Sequence, residues 1–209
     1  MAKNCILVFC FLFIVLFACT TVEDVKPVEI VVEAGEIEET GKTEEVEKAE
    51  EIVKVEISIA DRIAEIFWAE VGVRELTGRN DGHRVEEYLA AANRKKGDAW
   101  CAAFITWVFK QAGVKAVVSG WSPDWFPANK TIYIRGSKTN RTPDRADVLG
   151  IYFQNLKRIA HVGFIDKWGA GNFCISIEGN TNDTGAREGD GVYVKRRLKS
   201  QIYKVSRWI

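Results

Sequence analysis

An α+β domain, with helices packed against one face of an antiparallel sheet, is the fold class this sequence predicts. Apolar residues between Ile59 and Ala112 recur at helical spacing. Short runs with strand character, separated by turn residues, fill the chain from Thr131 onward. The two regions follow one another without interleaving, which is the element order of an α+β domain. With 209 residues, 47% hydrophobic and 28% charged, the composition suits one globular domain with a core and excludes a wholly disordered chain.

The first helix carries Ile63, Ile66, Phe67 and Val71 and ends around Gly72. Asn80-Asp81-Gly82 is a turn signal, and a second helix then places Val85, Leu89 and Ala92 on one face. Gly97-Asp98 breaks it, with Asp98 a candidate N-cap. The third helix, residues 99–112, has Cys101, Phe104, Ile105 and Val108 on its apolar stripe, and Gly113 follows as a stop. After an aromatic, proline-broken loop, GWSPDWFP, come strands at 131–134, 148–153, 159–165, 173–178, 192–197 and 203–208, expected to form a meander.

The N-terminus reads as an export signal: one lysine, an apolar run of 13 residues, then Ala18-Cys19. That run is shorter than the ~20 residues a spanning helix requires. Leu16-Phe17-Ala18-Cys19 looks like a bacterial lipobox, so residues 1–18 are expected to be a signal peptide and Cys19 the lipidated N-terminus of a chain anchored to the cell envelope. Residues 19–57 read as an acidic, solvated tether, poor in the apolar surface that ordering demands. Residues 58–209 form the folded domain. Val22 to Ser58 holds 13 acidic and four basic residues, whereas Ser58 to Ile209 holds 16 acidic and 24 basic. A basic domain on an acidic tether points to an anionic partner, or to a mixed solvated surface.

With Cys5 and Cys10 in the signal and Cys19 acylated, Cys101 and Cys174 remain, as a disulfide or as one reactive and one buried thiol. Cys101 falls in the first turn of its helix, where unpaired N–H groups and the positive end of the dipole favour a thiolate. His161 stands on the strand IAHVGFI beside Gly163, which leaves open space next to the ring. On the next strand, alternation turns Cys174, Ser176, Glu178 and Asn180 to one side. Glu178 and Asn180 are both placed to orient the imidazole, as the third member of a triad does. Helix-borne Cys, strand-borne His and adjacent acid make a papain-like arrangement. His83, in a polar stretch, reads as a solvated side chain.

Gly97-Asp-Ala-Trp-Cys-Ala-Ala-Phe, Ile159-Ala-His-Val-Gly-Phe-Ile and Ile177-Glu-Gly-Asn-Thr together resemble the CHAP family of cysteine, histidine-dependent amidohydrolases and peptidases, across Ile59 to Ile209. The resemblance implies Cys101 as nucleophile, His161 as base, Glu178 as its orienting group and Asn180 as further polar support. It also implies a peptidoglycan stem-peptide substrate, cut as an amidase or endopeptidase. Two features depart from the family's pattern: Ala146-Asp147 stands where many members have Gly-Asp, and Asn93-Arg-Lys-Lys-Gly-Asp replaces the acidic calcium loop of some members. No metal and no cofactor is therefore expected, and two scattered histidines offer no zinc spacing. Trp100, Trp121, Trp125 and Trp168 are candidate walls of a substrate groove or, alternatively, core. The expected partners are peptidoglycan and, through Cys19, a membrane; the chain reads as a monomer. Rival readings are a catalytically inactive wall-binding module and a thiol enzyme acting on a non-wall substrate. A nucleic-acid binder is disfavoured, because the basic residues form no motif with interleaved aromatics.

Overall fold

The computed structural model describes residues 57–184 and 189–209, and Glu56–Ile209 forms one compact unit. The signal run, Cys19 and all of the acidic tether but Ile57 lie outside the described residues. Among the described residues no helix is long and apolar enough to cross a membrane.

Three helices, α1 (Ile59–Ala69), α2 (His83–Ala91) and α3 (Cys101–Gln111), precede six strands: β1 (Thr131–Ile134), β2 (Val148–Phe153), β3 (Arg158–Lys167), β4 (Phe173–Thr181), β5 (Gly191–Leu198) and β6 (Ile202–Ser206). The fold is α+β and every strand pair in the sheet is antiparallel. Ser58 caps α1, its hydroxyl accepting the Asp61 N–H at 3.1 Å and donating to the Asp61 carboxylate at 2.7 Å. Asp98 does not cap α3. Lys95 to Asp98 closes a tight turn of its own, in which the Asp98 carboxylate accepts the Lys95 N–H and pairs with Arg94. The helix consequently starts at Cys101, with Trp100 as an N-cap that offers no side-chain acceptor.

The sheet order is β1-β6-β2-β3-β4-β5, so the expected meander holds from β2 to β5 and fails at β6. Instead of extending the sheet beyond β5, β6 returns to pair with β2 on the far side. Laid flat, β5 and β6 would be four strand spacings apart, about 19 Å. The link from Leu198 to Ile202 holds only the 3-10 turn Lys199–Gln201, and four extended steps reach at most about 14 Å. The sheet must therefore curl, barrel-like, around its inner face. Leu149, Ile165, Cys174, Ile202 and Val205 cluster on that inner face. The outer face presents Val148, Val162, Phe164, Ile177 and Val192 to the helices. Phe164 is the hub of this outer layer, with Phe67 of α1 at 5.3 Å and Phe104 and Phe109 of α3 at 6.2 and 5.1 Å between ring centroids. Such pairs contribute about 0.5–1.5 kcal/mol each beyond their burial, and they fix α3 over β3 and β4.

Ala146 adopts the left-handed conformation, φ 67°, that glycine takes without steric cost. The turn is held by Asp147, whose buried carboxylate receives a two-pronged pair from Arg207 at 2.8 and 2.7 Å.

Candidate active site

Cys101 sits at the first position of α3, where the N–H groups of the opening turn have no carbonyl partner within the helix. Trp100 pins that end of the helix. It is fully buried, stacks on Tyr88 and donates from Nε1 to Glu75 at 2.8 Å. Its ring also lies over Gly179 of β4, where an added Cβ would come within 2.7 Å of the indole. The helix start thus rests on a strand that must be bare at that point. The paired register of β3 and β4 runs from Lys167–Ile175 to Phe164–Ile177 and no further. Beyond it the Cys101 sulfur lies close enough to the Val162 backbone and the His161 imidazole for both to act on its charge.

On the inner face, His161 Nε2 lies 2.7 Å from a carboxylate oxygen of Glu178, leaving Nδ1 as the nitrogen for the thiol. Glu178 is fully buried and saturated. Ser176 donates to Oε1 at 2.6 Å, and Arg197 donates from Nε to Oε1 at 2.9 Å and from Nη2 to Oε2 at 2.5 Å. Together with His161 these bonds occupy the roughly four lone-pair sites of a carboxylate. Four side chains therefore form a chain of alternating character: thiol, imidazole, carboxylate, guanidinium.

Protonation follows from this geometry. Burial disfavours the charged form of each member. For Glu178 the Arg197 and His161 hydrogen bonds and charges overcome it, holding the carboxyl far below its ordinary range. For His161, burial is likewise overcome by Cys101 and Glu178, and the imidazole is pushed up to about 9. Burial raises Cys101 too, but His161, the Ser122 hydroxyl and the Val162 N–H outweigh it, so the thiol lies below its usual value. Both directions favour charge separation, thiolate against imidazolium, above a fixed carboxylate. Cys174 shows the opposite outcome: buried among apolar side chains of the inner face, it is pushed up to about 11. Both thiols are free, one lowered and one raised from its ordinary value.

Cys101, His161 and Glu178 are thus brought together, and Asn180 is not part of the chain. Asn180 takes the left-handed conformation, φ 54°, so the two-residue alternation expected to continue from Glu178 breaks there. Its amide donates to Asn80 at 2.7 Å and Glu75 at 3.3 Å. Through Glu75, which also accepts from Trp100, it braces the helix start rather than the imidazole. The tryptophans divide in the same way. Trp100 and Trp125 are fully buried, Trp125 against Phe109 and Trp208, so neither walls a groove. Trp168 packs on Tyr133 in a separate depression beside Asp61 and Asp166. Of the four candidates Trp121 is the exposed one, under the Arg158 guanidinium and next to Ser122. His83 is solvent-exposed and pairs with Glu87 at 3.1 Å. A cleft of about 680 Å³ opens beside His161, with Tyr152, Phe153, Arg135 and Lys195 among its lining. Tyr152 and Phe153 give it the aromatic wall sought among the tryptophans.

Two residues escaped the sequence reading. Arg197 stands opposite Cys174 in the β4–β5 register and reaches along the strand to Glu178, a relation only the register reveals. Ser122 lies 3.5 Å from the Cys101 sulfur, placed there by a loop tied to α3 through paired Ser119–Thr106 hydrogen bonds. No periodicity marks such a loop.

Gly163 lies under the chain of bonds. The space expected beside the ring is filled by Glu178, for a Cβ at 163 would meet the Glu178 Cγ at 2.5 Å and the Ile177 carbonyl at 3.1 Å. Gly163→Ala is expected to destabilise the fold by about 1–3 kcal/mol. Thermal melts and thiol-reactivity rates check this, and an unchanged Cys101 reactivity would show that the carboxylate position is not critical. Compared with known proteins, the chain matches no family model and no curated sequence.

Proposed function

We propose that this chain is a thiol-dependent amidase or endopeptidase of the bacterial cell envelope, cleaving an amide bond in peptidoglycan stem peptides. The observation that carries the catalytic part is the chain Cys101–His161–Glu178, with the thiol lowered and the imidazole raised. Helices packed outside a curled sheet, with sulfur at a helix start and imidazole on a strand, support a papain-like assignment. The wall substrate and the lipid anchor at Cys19 are supported by the sequence resemblance and the lipobox-like N-terminus.

In the proposed mechanism the Cys101 thiolate attacks the amide carbon. Open N–H groups at the start of α3 stabilise the oxyanion, each donor contributing about 2.7–4 kcal/mol. Imidazolium His161 protonates the leaving amine as the C–N bond breaks, giving a thioester. Neutral His161 then takes a proton from water as its oxygen attacks the thioester carbon; the C–S bond breaks, the sulfur leaves as thiolate, and the thiolate–imidazolium pair is restored.

The pH profile follows from the pair. The acid limb reports loss of the thiolate and is expected below the ordinary thiol value of 9.0. The alkaline limb reports loss of the imidazolium proton and is expected near pH 9. Both limbs belong to the pair rather than to either residue. A kcat/KM profile that still rises above pH 9 would contradict the ion-pair state. The decisive experiment is digestion of purified peptidoglycan followed by mass spectrometry of the released muropeptides. New amine and carboxyl ends at one stem-peptide bond are the expected result; unchanged muropeptides alongside turnover of other amides would sink the wall assignment.

A further inference from the structure

The cleft beside His161 has a one-sided lining. Arg135, His161, Lys195 and Arg197 contribute to it, and no carboxylate among the described residues does. Two of these cations are already matched. Arg197 is consumed by Glu178, and Lys195 is held by the Asn182 carbonyl at 2.6 Å and the Asp183 carboxylate at 3.1 Å. His161 and Cys101 form a neutral pair when charged. Arg135 is the exception. Its guanidinium donates to a backbone carbonyl, that of Ser200 at 2.6 Å, and lies over the Tyr203 ring, and it has no carboxylate within ion-pair distance among the described residues. Its backbone is fixed as well, the Arg135 N–H bonding the Tyr203 carbonyl at 2.9 Å.

The curl of the sheet brings this charge into the cleft beside His161. Arg135 follows β1 at one edge of the strand order and Lys195 lies on β5 at the other, yet both line one cleft with His161 between them in the order. A guanidinium presents five N–H donors in a planar fork that matches a carboxylate. With one donor engaged by the Ser200 carbonyl and the guanidinium 5.7 Å from the Tyr203 ring centroid, a fork face remains for a ligand.

We propose that the cleft selects substrates carrying a free carboxylate, which Arg135 binds while the scissile amide lies at Cys101. This deepens the hydrolase reading and rests on Cys101 being its nucleophile. Charge focused in a cleft raises the local concentration of an oppositely charged reagent, by about tenfold or more at low salt. A neutral reagent of the same shape does not feel it.

The test uses the intact protein and two alkylating reagents that differ only in charge, iodoacetate and iodoacetamide. In both, the Cys101 sulfur displaces iodide. Rates are followed by mass spectrometry of the Cys101 peptide at neutral pH and low ionic strength. Arg135→Gln is expected to lower the iodoacetate-to-iodoacetamide rate ratio about fivefold or more. Taking the ratio removes any change in the thiolate itself. Lys115→Gln, which removes an exposed charge outside the cleft, should leave the ratio unchanged. Raising the salt to about 1 M should compress the wild-type ratio toward that of the Arg135 variant. An equal ratio in wild type and Arg135→Gln overturns the carboxylate subsite while leaving the nucleophile intact. Iodoacetamide labelling of Cys101 no faster than a free thiol overturns the nucleophile reading, and the subsite with it.

Discussion

Cys101→Ala and His161→Ala are each expected to lower amide hydrolysis at least about a thousandfold, with the fold retained. In the proposed mechanism the Cys101 sulfur forms the covalent intermediate and the His161 imidazole is the base beside it. Losing either removes the same step, so the double variant should be no worse than the singles, as for residues that act as a unit. The cost in stability should be small by comparison. Cys101 is a small side chain at the first turn of α3, and alanine fits that position without strain. Cys174→Ala supplies the contrast. That thiol belongs to the inner-face cluster with Leu149, Ile165 and Ile202; its loss should weaken packing by about 1 kcal/mol or so and leave the rate nearly unchanged. Rates on one amide substrate, with near-ultraviolet circular dichroism as a check on folding, decide the matter. Loss of activity in Cys174→Ala but not in Cys101→Ala would reverse the assignment.

The two periodicities of the backbone made most of this site legible. A helical stripe placed Cys101 in the first turn of α3, and strand alternation placed Glu178 on the face of Ser176 and Cys174. Both inferences use local spacing alone, and they meet in space because β3 and β4 are neighbours in the chain and in the sheet. What sequence could not supply was non-local. Arg197 reaches Glu178 through the β4–β5 register, and β6 returns to β2 because the sheet curls. Neither relation leaves a mark in composition or period. Asn180 was misplaced for a related reason: a left-handed residue at the end of β4 breaks the alternation from which its position was extrapolated. Trp100 and Trp125 take the core alternative, a choice left open because an aromatic residue carries no sign of which side faces solvent. Trp125 fills the core against Phe109, while Trp121, four residues earlier, stays exposed.

Glu178→Gln is expected to have the largest effect on stability and a distinct effect on the pH profile. The carboxylate is fully buried and accepts from Ser176, Arg197 and His161. An amide of the same shape has one accepting oxygen, so at least one donor would face an NH2 group, and Arg197 would stay buried without its counter-charge. Breaking such a pair from one side costs about 3–5 kcal/mol, or a fall in melting temperature of roughly 10 °C for a domain of this size. The pH sign is fixed by the direction of the shift. Glu178 is held below its ordinary value of 4.5, so its contribution is complete above that pH and is lost as pH falls through the folded value. The stability gap between wild type and Glu178→Gln should accordingly narrow in acid. The imidazole responds in the other direction. With Glu178 present its pKa is about 9; without it, burial acts against the imidazolium with only Cys101 opposing. The alkaline limb of kcat/KM should therefore move to lower pH, with the rate at neutral pH down about a hundredfold or more. A variant that merely loosened the fold would lower the melting temperature and leave the limb where it was. The limb is thus the measurement that separates an orienting carboxylate from a structural one.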